Sequence, residues 1–360
     1  MGRMADHWRE SREVLRLRPG GGYNVLFALV AVLGLVTALK ILFNILSFVY
    51  LYLLRRSSLG RYLHSTDGKP AWALVTGASD GLGRQFAHEL AARGFNVVVH
   101  GRNPAKLEAV RDELAIAFPG RSFRVLVADI SAIPCHRCQP AASTTPSATE
   151  STQTVDLGAI VASLSDINLT VLINNAGGGV LNSSGQPTFH PLQAFPQSTV
   201  LGNVNVNAIF PLLLLHKLIP QLIRNAPSLA INIGSMADQG MPLLSFYGPS
   251  KTFAMGVAGS LALEMILEGQ DVEVLGVRLG EVTGVSHYKA APTIFGPSAQ
   301  TMARAALERV GCGRPTVIGY WAHALQQAGA NLLPDFLKDR ILLDIMSRRR
   351  EDERRKLKSA

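Results

Sequence analysis

The stretch Trp72-Ala-Leu-Val-Thr76-Gly77-Ala78-Ser79-Asp80-Gly81-Leu82-Gly83 decides how the chain is read. An apolar, β-rich run ends in glycine, a short polar turn follows, and helical periodicity takes over from Gln85 to Arg93. Gly77 permits a tight turn, Gly81 lets backbone approach a ligand closely, and Gly83 allows a helix to lie against a strand. A helix beginning here turns free N–H groups toward the turn, which suits the negative charge of a pyrophosphate. The turn residues Gly77, Ser79, Asp80, Gly81, Leu82 and Gly83 are therefore the first candidates for contact with a dinucleotide.

Reading outward, the same alternation continues. Asn96-Val-Val-Val-His100 precedes a charged amphipathic stretch, Pro104 to Ala117, and a third apolar run covers Phe123 to Val127. Further short β-rich runs occupy Leu169–Ile173, Leu229–Ile233 and Val272–Val277, with longer helical stretches among them. Strand and helix in this rhythm predict an α/β fold: a doubly wound parallel sheet of the Rossmann type, forming a single catalytic domain over residues 71–335. Residues 132–154 break the rhythm, being rich in Ser, Thr, Pro and Ala, and read as a loop inserted after the third strand. Cys135-His-Arg-Cys138 lies within it. This pair could be half of a zinc site or a redox pair, but no second ligand pair accompanies it, and no metal site is assigned.

The ends differ from this body. Of 360 residues, 48% are hydrophobic and 17% charged, which excludes a disordered chain. The formal net charge of +9 lies on the flanks, which leaves about −1 for residues 71–346. The body thus lacks the basic field that nucleic-acid binding requires. Three cysteines are too few for a disulfide framework and point to a reducing compartment. After a basic segment, 1–24, residues 25–54 are almost uniformly apolar and long enough for a membrane anchor, either one span or a hairpin around Lys40. Residues 347–360 read as a solvated, charged tail that does not pack. Its end, Lys356-Leu357-Lys358-Ser359-Ala360, resembles the dilysine signal that returns membrane proteins to the endoplasmic reticulum. Such a signal is read in the cytosol, so the body is expected to face the cytosol.

Within the body, several residues carry chemistry. The second strand ends at His100-Gly101-Arg102, where an NAD enzyme carries an acid for the ribose 2′-hydroxyl. A carboxylate there would repel a 2′-phosphate and the Arg102 guanidinium would pair with it, so NADP is expected. Asp129, after the third strand, is placed for the adenine. Tyr247 and Lys251 lie four apart, on one face of a helix. Pro249 between them is tolerable only in a first turn, so the pair opens the helix. A free phenol has a pKa of about 10, and the Lys251 ammonium is expected to lower it. Ser235 follows the strand-like run Ile231–Gly234, placed to donate to the substrate oxygen that a Tyr247 phenol would protonate.

These motifs, with Asn174-Asn175-Ala176-Gly177 after the fourth strand, resemble the short-chain dehydrogenase/reductase family in kind and order over residues 71–290. The resemblance implies that Tyr247 is the proton donor and that Lys251 both tunes it and holds the cofactor. It further implies that Ser235 orients the substrate, that Asn207 holds a water in the proton relay, and that Asn174 and Asn175 line the cofactor site. Val282 and Thr283 fall where the family contacts the nicotinamide, with Thr283 at its carboxamide. Two departures from the family pattern stand out: Ser235 and Tyr247 are one residue closer than usual, and Gly248-Pro249 replaces the usual Ser-Ala. The apolar anchor, the phrase SDGLG and the lysine-rich tail resemble the membrane-bound very-long-chain 3-oxoacyl-CoA reductases and related 17β-hydroxysteroid dehydrogenases.

The implied activity is NADPH-dependent reduction of a ketone on a lipid-like substrate at the endoplasmic reticulum membrane, by resemblance a 3-oxoacyl-CoA in fatty-acid elongation. A tailoring reductase for a sterol, polyketide or terpenoid is the alternative enzyme reading, and a non-catalytic nucleotide-binding scaffold the alternative of another class. A homodimer, or association with other lipid-synthesis enzymes, is a possible assembly.

Overall fold

The computed structural model describes residues 21–131, 155–179, 188–285 and 288–359. The inserted loop 132–154, with its Cys135 and Cys138, lies outside them, as does the stretch 180–187. The chain divides into two units, residues 1–55 and 56–360. The first is helix α1, Gly21–Val49, extended by a π-helical turn over Tyr50–Leu54. It runs without a break through Lys40, so the hairpin alternative is not what the chain adopts. Leu26–Leu54 is a candidate membrane anchor, because 29 residues at about 1.5 Å each exceed a hydrocarbon core of roughly 30 Å.

The second unit carries a parallel sheet, seven strands among the described residues, in the order β3-β2-β1-β4-β5-β6-β7. The strands are β1 Ala71–Thr76, β2 Asn96–Gly101, β3 Phe123–Val127, β4 Asn168–Asn174, β5 Ser228–Ser235, β6 Val272–Leu279 and β7 Thr316–Ile318. Between them run α2 Gly81–Ala92, α3 Pro104–Ala117, α4 Leu157–Ala162, α5 Gln197–Val204, α6 Phe210–Arg224, α7 Tyr247–Leu267 and α8 Ala299–Leu307. Helices α9, Trp321–Asn331, and α10, Asp335–Ser359, follow the last strand. Strand order reverses between β1 and β4, which pair in register at Val75 and Ile173, and this reversal opens a crevice at the C-terminal ends of the strands.

β1, β2 and β4 are buried along their whole length, because helices cover both faces of the sheet, and so they read as continuous apolar runs. One face packs Leu74, Val98, Leu172 and Ala230 beneath Phe210, Leu214 and Leu218 of α6. β3, on the sheet edge, is only half-buried. The continuous helical run Gln197–Arg224, from α5 through α6, and helix α7 are also long and apolar enough to cross a membrane, but each is buried in part within this unit. In α7, Met255 sits one turn beyond Lys251 in a slot made by two strand glycines. A Cβ built at Gly234 would lie 2.6 Å from the Met255 Sδ, and one at Gly276 would lie 3.0 Å from it.

Two expectations change. α2 starts at Gly81, four residues before the periodicity shows, because the Asp80 carboxylate accepts from the Gly81 N–H and caps a helix whose first turn is glycine-rich. The residues read as a loose tail, 347–360, are helical through Ser359 as the end of α10. Most of its described side chains are exposed, as expected, but contacts tether it: Arg349 pairs with Glu281 at 2.5 Å, the Glu353 carboxylate accepts from the Thr188 and Phe189 N–H groups, and the preceding Met346 is buried. High charge density concealed these contacts, since each relies on a partner far away in sequence.

Candidate active site

The crevice begins at the turn between β1 and α2. Gly77 takes φ +67°, and a Cβ there would stand 2.8 Å from the Ala176 Cα. A Cβ at Gly83 would lie 2.1 Å from the Gly77 carbonyl oxygen, so no side chain fits at the start of α2. The turn is braced from behind, because Asn175 donates from its side chain to the Thr76 carbonyl at 3.0 Å, while the Asn175 and Ala176 N–H groups donate to the Thr76 hydroxyl. Ser79 and Leu82 lie partly exposed on this turn. Asp80 caps the helix, and the other N–H groups of the first turn are left to face the crevice.

Arg102 is exposed directly after β2. The preceding Gly101 neighbours Ser79, where a Cβ would stand in ordinary contact with the Ser79 Oγ at 3.5 Å, which brings Arg102 to the rim of the turn. Asp129 stands just past β3 and accepts from the Ser131 N–H at 3.0 Å. The buried amide of Asn174 donates to Asn232 Oδ1 and the Pro211 carbonyl, linking β4 to β5 and α6.

Tyr247, Lys251, Ser235 and Asn207 converge at the C-terminal end of β5. Ser235 is the last residue of that strand, and its hydroxyl hydrogen-bonds the Tyr247 phenol while also accepting from the Ala237 N–H. Tyr247 opens α7, so Pro249 falls in the first turn as the sequence requires. The Lys251 ammonium is buried, donates to the Ile233 carbonyl at 3.0 Å, and lies 6.0 Å from the centre of the Tyr247 ring. Asn207, in a π-helical turn between α5 and α6, donates to the carbonyls of Gly178 and Asn203 and accepts from the Gly178 N–H. Gly177 joins the two groups: a Cβ there would fall 2.4 Å from Asn207 Oδ1 and 3.0 Å from Lys251 Nζ.

Electrostatics alter one expectation. Burial pushes the Tyr247 phenol above its ordinary value, the Asp238 charge adds to this, and the Ser235 hydrogen bond only partly opposes it. The Lys251 ammonium is itself pushed down to about 8 by burial. Tyr247 is thus held as a neutral phenol, the form that can give up a proton.

The segment after β6 closes the crevice from above. A Cβ at Gly81 would meet the Val285 Cγ1 at 3.2 Å, so this segment lies on the glycine turn. Val282 is partly exposed, whereas Thr283 is buried and its hydroxyl donates to the Pro297 carbonyl.

Three contributors were not foreseen from sequence. Arg278 grips Asp238 with two hydrogen bonds of 2.6 Å, which holds the turn after Ser235 beside Tyr247. His323, fully buried in α9, accepts from the Gly280 N–H through Nδ1 and, as the tautomer protonated at Nε2, donates to the Phe295 carbonyl, pinning both ends of the segment after β6. Asn203 donates from its side chain to the carbonyls of Gly178 and Gly179. Sequence offered no signal for these, because each partner is distant along the chain. The structure does account for Gly248, where a Cβ would lie 2.7 Å from the Ala237 carbonyl. The shortened connection from Ser235 presses its turn onto α7, and only glycine admits it.

The short chain dehydrogenase family pattern matches residues 71–291. A very-long-chain 3-oxoacyl-CoA reductase-like protein of Arabidopsis thaliana is 30% identical over 328 residues, covering 89% of this chain and 94% of that protein. A very-long-chain 3-oxoacyl-CoA reductase of Coprinopsis cinerea is 30% identical over 303 residues, covering 81% and 80% respectively. Among solved structures, a short-chain dehydrogenase from Sphingobium yanoikuyae in complex with NADPH aligns with a TM-score of 0.51 and 22% identity, over 74% of this chain and 96% of that one. The ordered motifs, the sheet topology, the cluster at the end of β5 and the family match converge: this chain belongs to the short-chain dehydrogenase family.

Proposed function

We propose that the protein is an NADPH-dependent ketone reductase acting on a lipid-like substrate, namely a 3-oxoacyl-CoA in very-long-chain fatty-acid elongation. The observation that carries the reaction type is the meeting of Ser235, the protonated Tyr247 and the buried Lys251 beside a glycine cradle. The names borne by the Arabidopsis and Coprinopsis relatives support the substrate class.

The crevice residues fit a phosphorylated dinucleotide. The glycine turn admits a pyrophosphate at the start of α2, Arg102 supplies a cation for a 2′-phosphate at the end of β2, and Asp129 takes the adenine side. When bound, NADPH supplies the hydride that reduces the carbonyl carbon. Ser235 donates to the carbonyl oxygen and sets its distance from Tyr247. Tyr247 transfers its phenolic proton to that oxygen as negative charge develops there, and the product is a secondary alcohol. The resulting tyrosinate is stabilised by the Ser235 hydrogen bond and by the Lys251 ammonium. Lys251 stands next to Gly177 and the Asn207 amide, which gives the returning proton a polar route. The apolar helix Leu26–Leu54 would hold this chemistry at the endoplasmic reticulum membrane, where long acyl chains partition, with the body in the cytosol.

The test is NADPH oxidation by membranes carrying the protein, offered a long-chain 3-oxoacyl-CoA, with Tyr247→Phe alongside. Losing the proton donor should lower turnover by about 10²–10⁴-fold while leaving NADPH binding in place. Binding without turnover by the wild type would refute the acyl-CoA reading and move attention to sterol or polyketide ketones.

A further inference from the structure

Two polar residues on one face of α10 hold the two segments that frame the active-site mouth. Glu353 presents both carboxylate oxygens to adjacent backbone N–H groups, at 2.6 Å to Thr188 and 2.9 Å to Phe189. Arg349, one helical turn earlier, pairs with Glu281 at 2.5 Å. Met346, a further turn back on the same side, is buried and seats this part of the helix.

Each held segment leads to the reacting groups. The Thr188 Cγ2 lies 3.6 Å from where a Cβ at Gly179 would stand, and the Gly178–Gly179 backbone is fixed by Asn203 and Asn207 beside Lys251. Seven residues on from Thr188, Phe195 meets Phe246 edge to face at 5.1 Å between ring centres, and Phe246 immediately precedes Tyr247. On the other side, Glu281 also hydrogen-bonds Tyr288 and begins the segment whose Val285 lies on the glycine turn. Helix α10 therefore straps the chain leaving β4 to the chain leaving β6, and it does so with charged groups outside the reacting set.

We propose that Glu353 and Arg349 are positioning residues that set selectivity for long acyl chains by fixing the two walls of the cleft mouth. The proposal rests on the ketone-reductase reading above. A short ketone needs only Ser235 and Tyr247 to orient its carbonyl, whereas a long chain must also lie along the walls, whose separation the strap fixes. Disorder in the walls therefore penalises the long substrate selectively, chiefly through KM.

The experiment compares kcat/KM for a long-chain and a four-carbon 3-oxoacyl-CoA, using membranes with the full-length protein. The variants are wild type, Glu353→Gln, Arg349→Glu, and the charge-swapped pair Arg349→Glu with Glu281→Arg. Hydrogen exchange of the 188–195 backbone is followed in parallel. The expected result is a long-to-short ratio reduced about tenfold in each single variant, faster exchange at Thr188 and Phe189 in Glu353→Gln, and recovery of the ratio in the charge-swapped pair. A merely structural loss would lower both substrates together through kcat and leave the ratio unmoved. An unchanged ratio, or unchanged exchange, overturns the proposal while the reductase reading stands. No turnover by wild type on either substrate overturns that reading instead, and the selectivity role with it.

Discussion

Lys251 brings a positive charge into the body at a cost to folding that titration can expose. Its side chain is 5% exposed, with its ammonium hydrogen bond going to a single carbonyl, and burial pushes its pKa from 10.5 down to about 8. Below about pH 8 both folded and unfolded chains carry the proton, and the buried charge costs its full amount. Between about pH 8 and 10.5 the unfolded chain binds one more proton than the folded one, so stability rises with pH by about 1.4 kcal/mol per unit. The whole window is worth about 3 kcal/mol, and measurement up to pH 9.5 should capture about 2 kcal/mol of it. Lys251→Met keeps the bulk and removes the charge. At pH 7 this variant should be inactive and yet more stable, and its advantage should shrink across the window, by about 2–4 °C in Tm between pH 7 and 9.5 for a body of this size. The assay is thermal unfolding of the detergent-solubilised protein without cofactor, wild type and variant at each pH, so that other titrating groups cancel in the difference. Parallel curves for the two proteins would refute the reasoning, because they would show that the lysine titrates alike in both states.

Three further outcomes follow from the geometry. Gly83→Ala puts a Cβ 2.1 Å from a backbone carbonyl, so it should cost about 1–3 kcal/mol of stability and abolish NADPH binding in a fluorescence titration. Arg102→Ala should weaken NADPH by about 1.5–3 kcal/mol while sparing NADH, and equal losses for both would remove Arg102 from 2′-phosphate recognition. His323→Leu leaves the Gly280 N–H and Phe295 carbonyl without their partner and should cost about 1–3 kcal/mol, whereas His323→Gln, which can both accept and donate, should recover part of it by thermal unfolding.

The fold was legible because fully buried strands announce themselves as short apolar runs. Val97–Val99 and Leu169–Ile173 lie in β2 and β4, where the pattern puts them. The reacting set was legible for a related reason: Tyr247 and Lys251 are local neighbours on one helix, and Ser235 ends a strand. What escaped was whatever depends on distance in the chain or on depth in the core. The direction of the Tyr247 shift follows from burial and from Asp238, neither of which spacing reveals. The bond by which the Asn174 amide ties β4 to β5 left no trace either, because its partner Asn232 is distant along the chain. The tethering of the end of α10 escaped because pairing of Arg349 and Glu353 with residues 281 and 188–189 leaves no local trace.

The slot that receives Met255 has a bearing on how this protein can diverge. Gly234 and Gly276 lie on neighbouring strands in the sheet beneath α7, and both face one thioether. A methyl group at Gly234 forces the sulfur to move, one at Gly276 crowds it, and a smaller residue at 255 leaves a void unless a glycine gains bulk. The three positions should therefore drift together across lineages, as a correlated trio spanning two strands and a helix. Because Met255 lies one turn from Lys251, accepted changes in that trio would also reset how deeply the lysine sits, so that relatives with identical reacting residues would diverge in their alkaline limits.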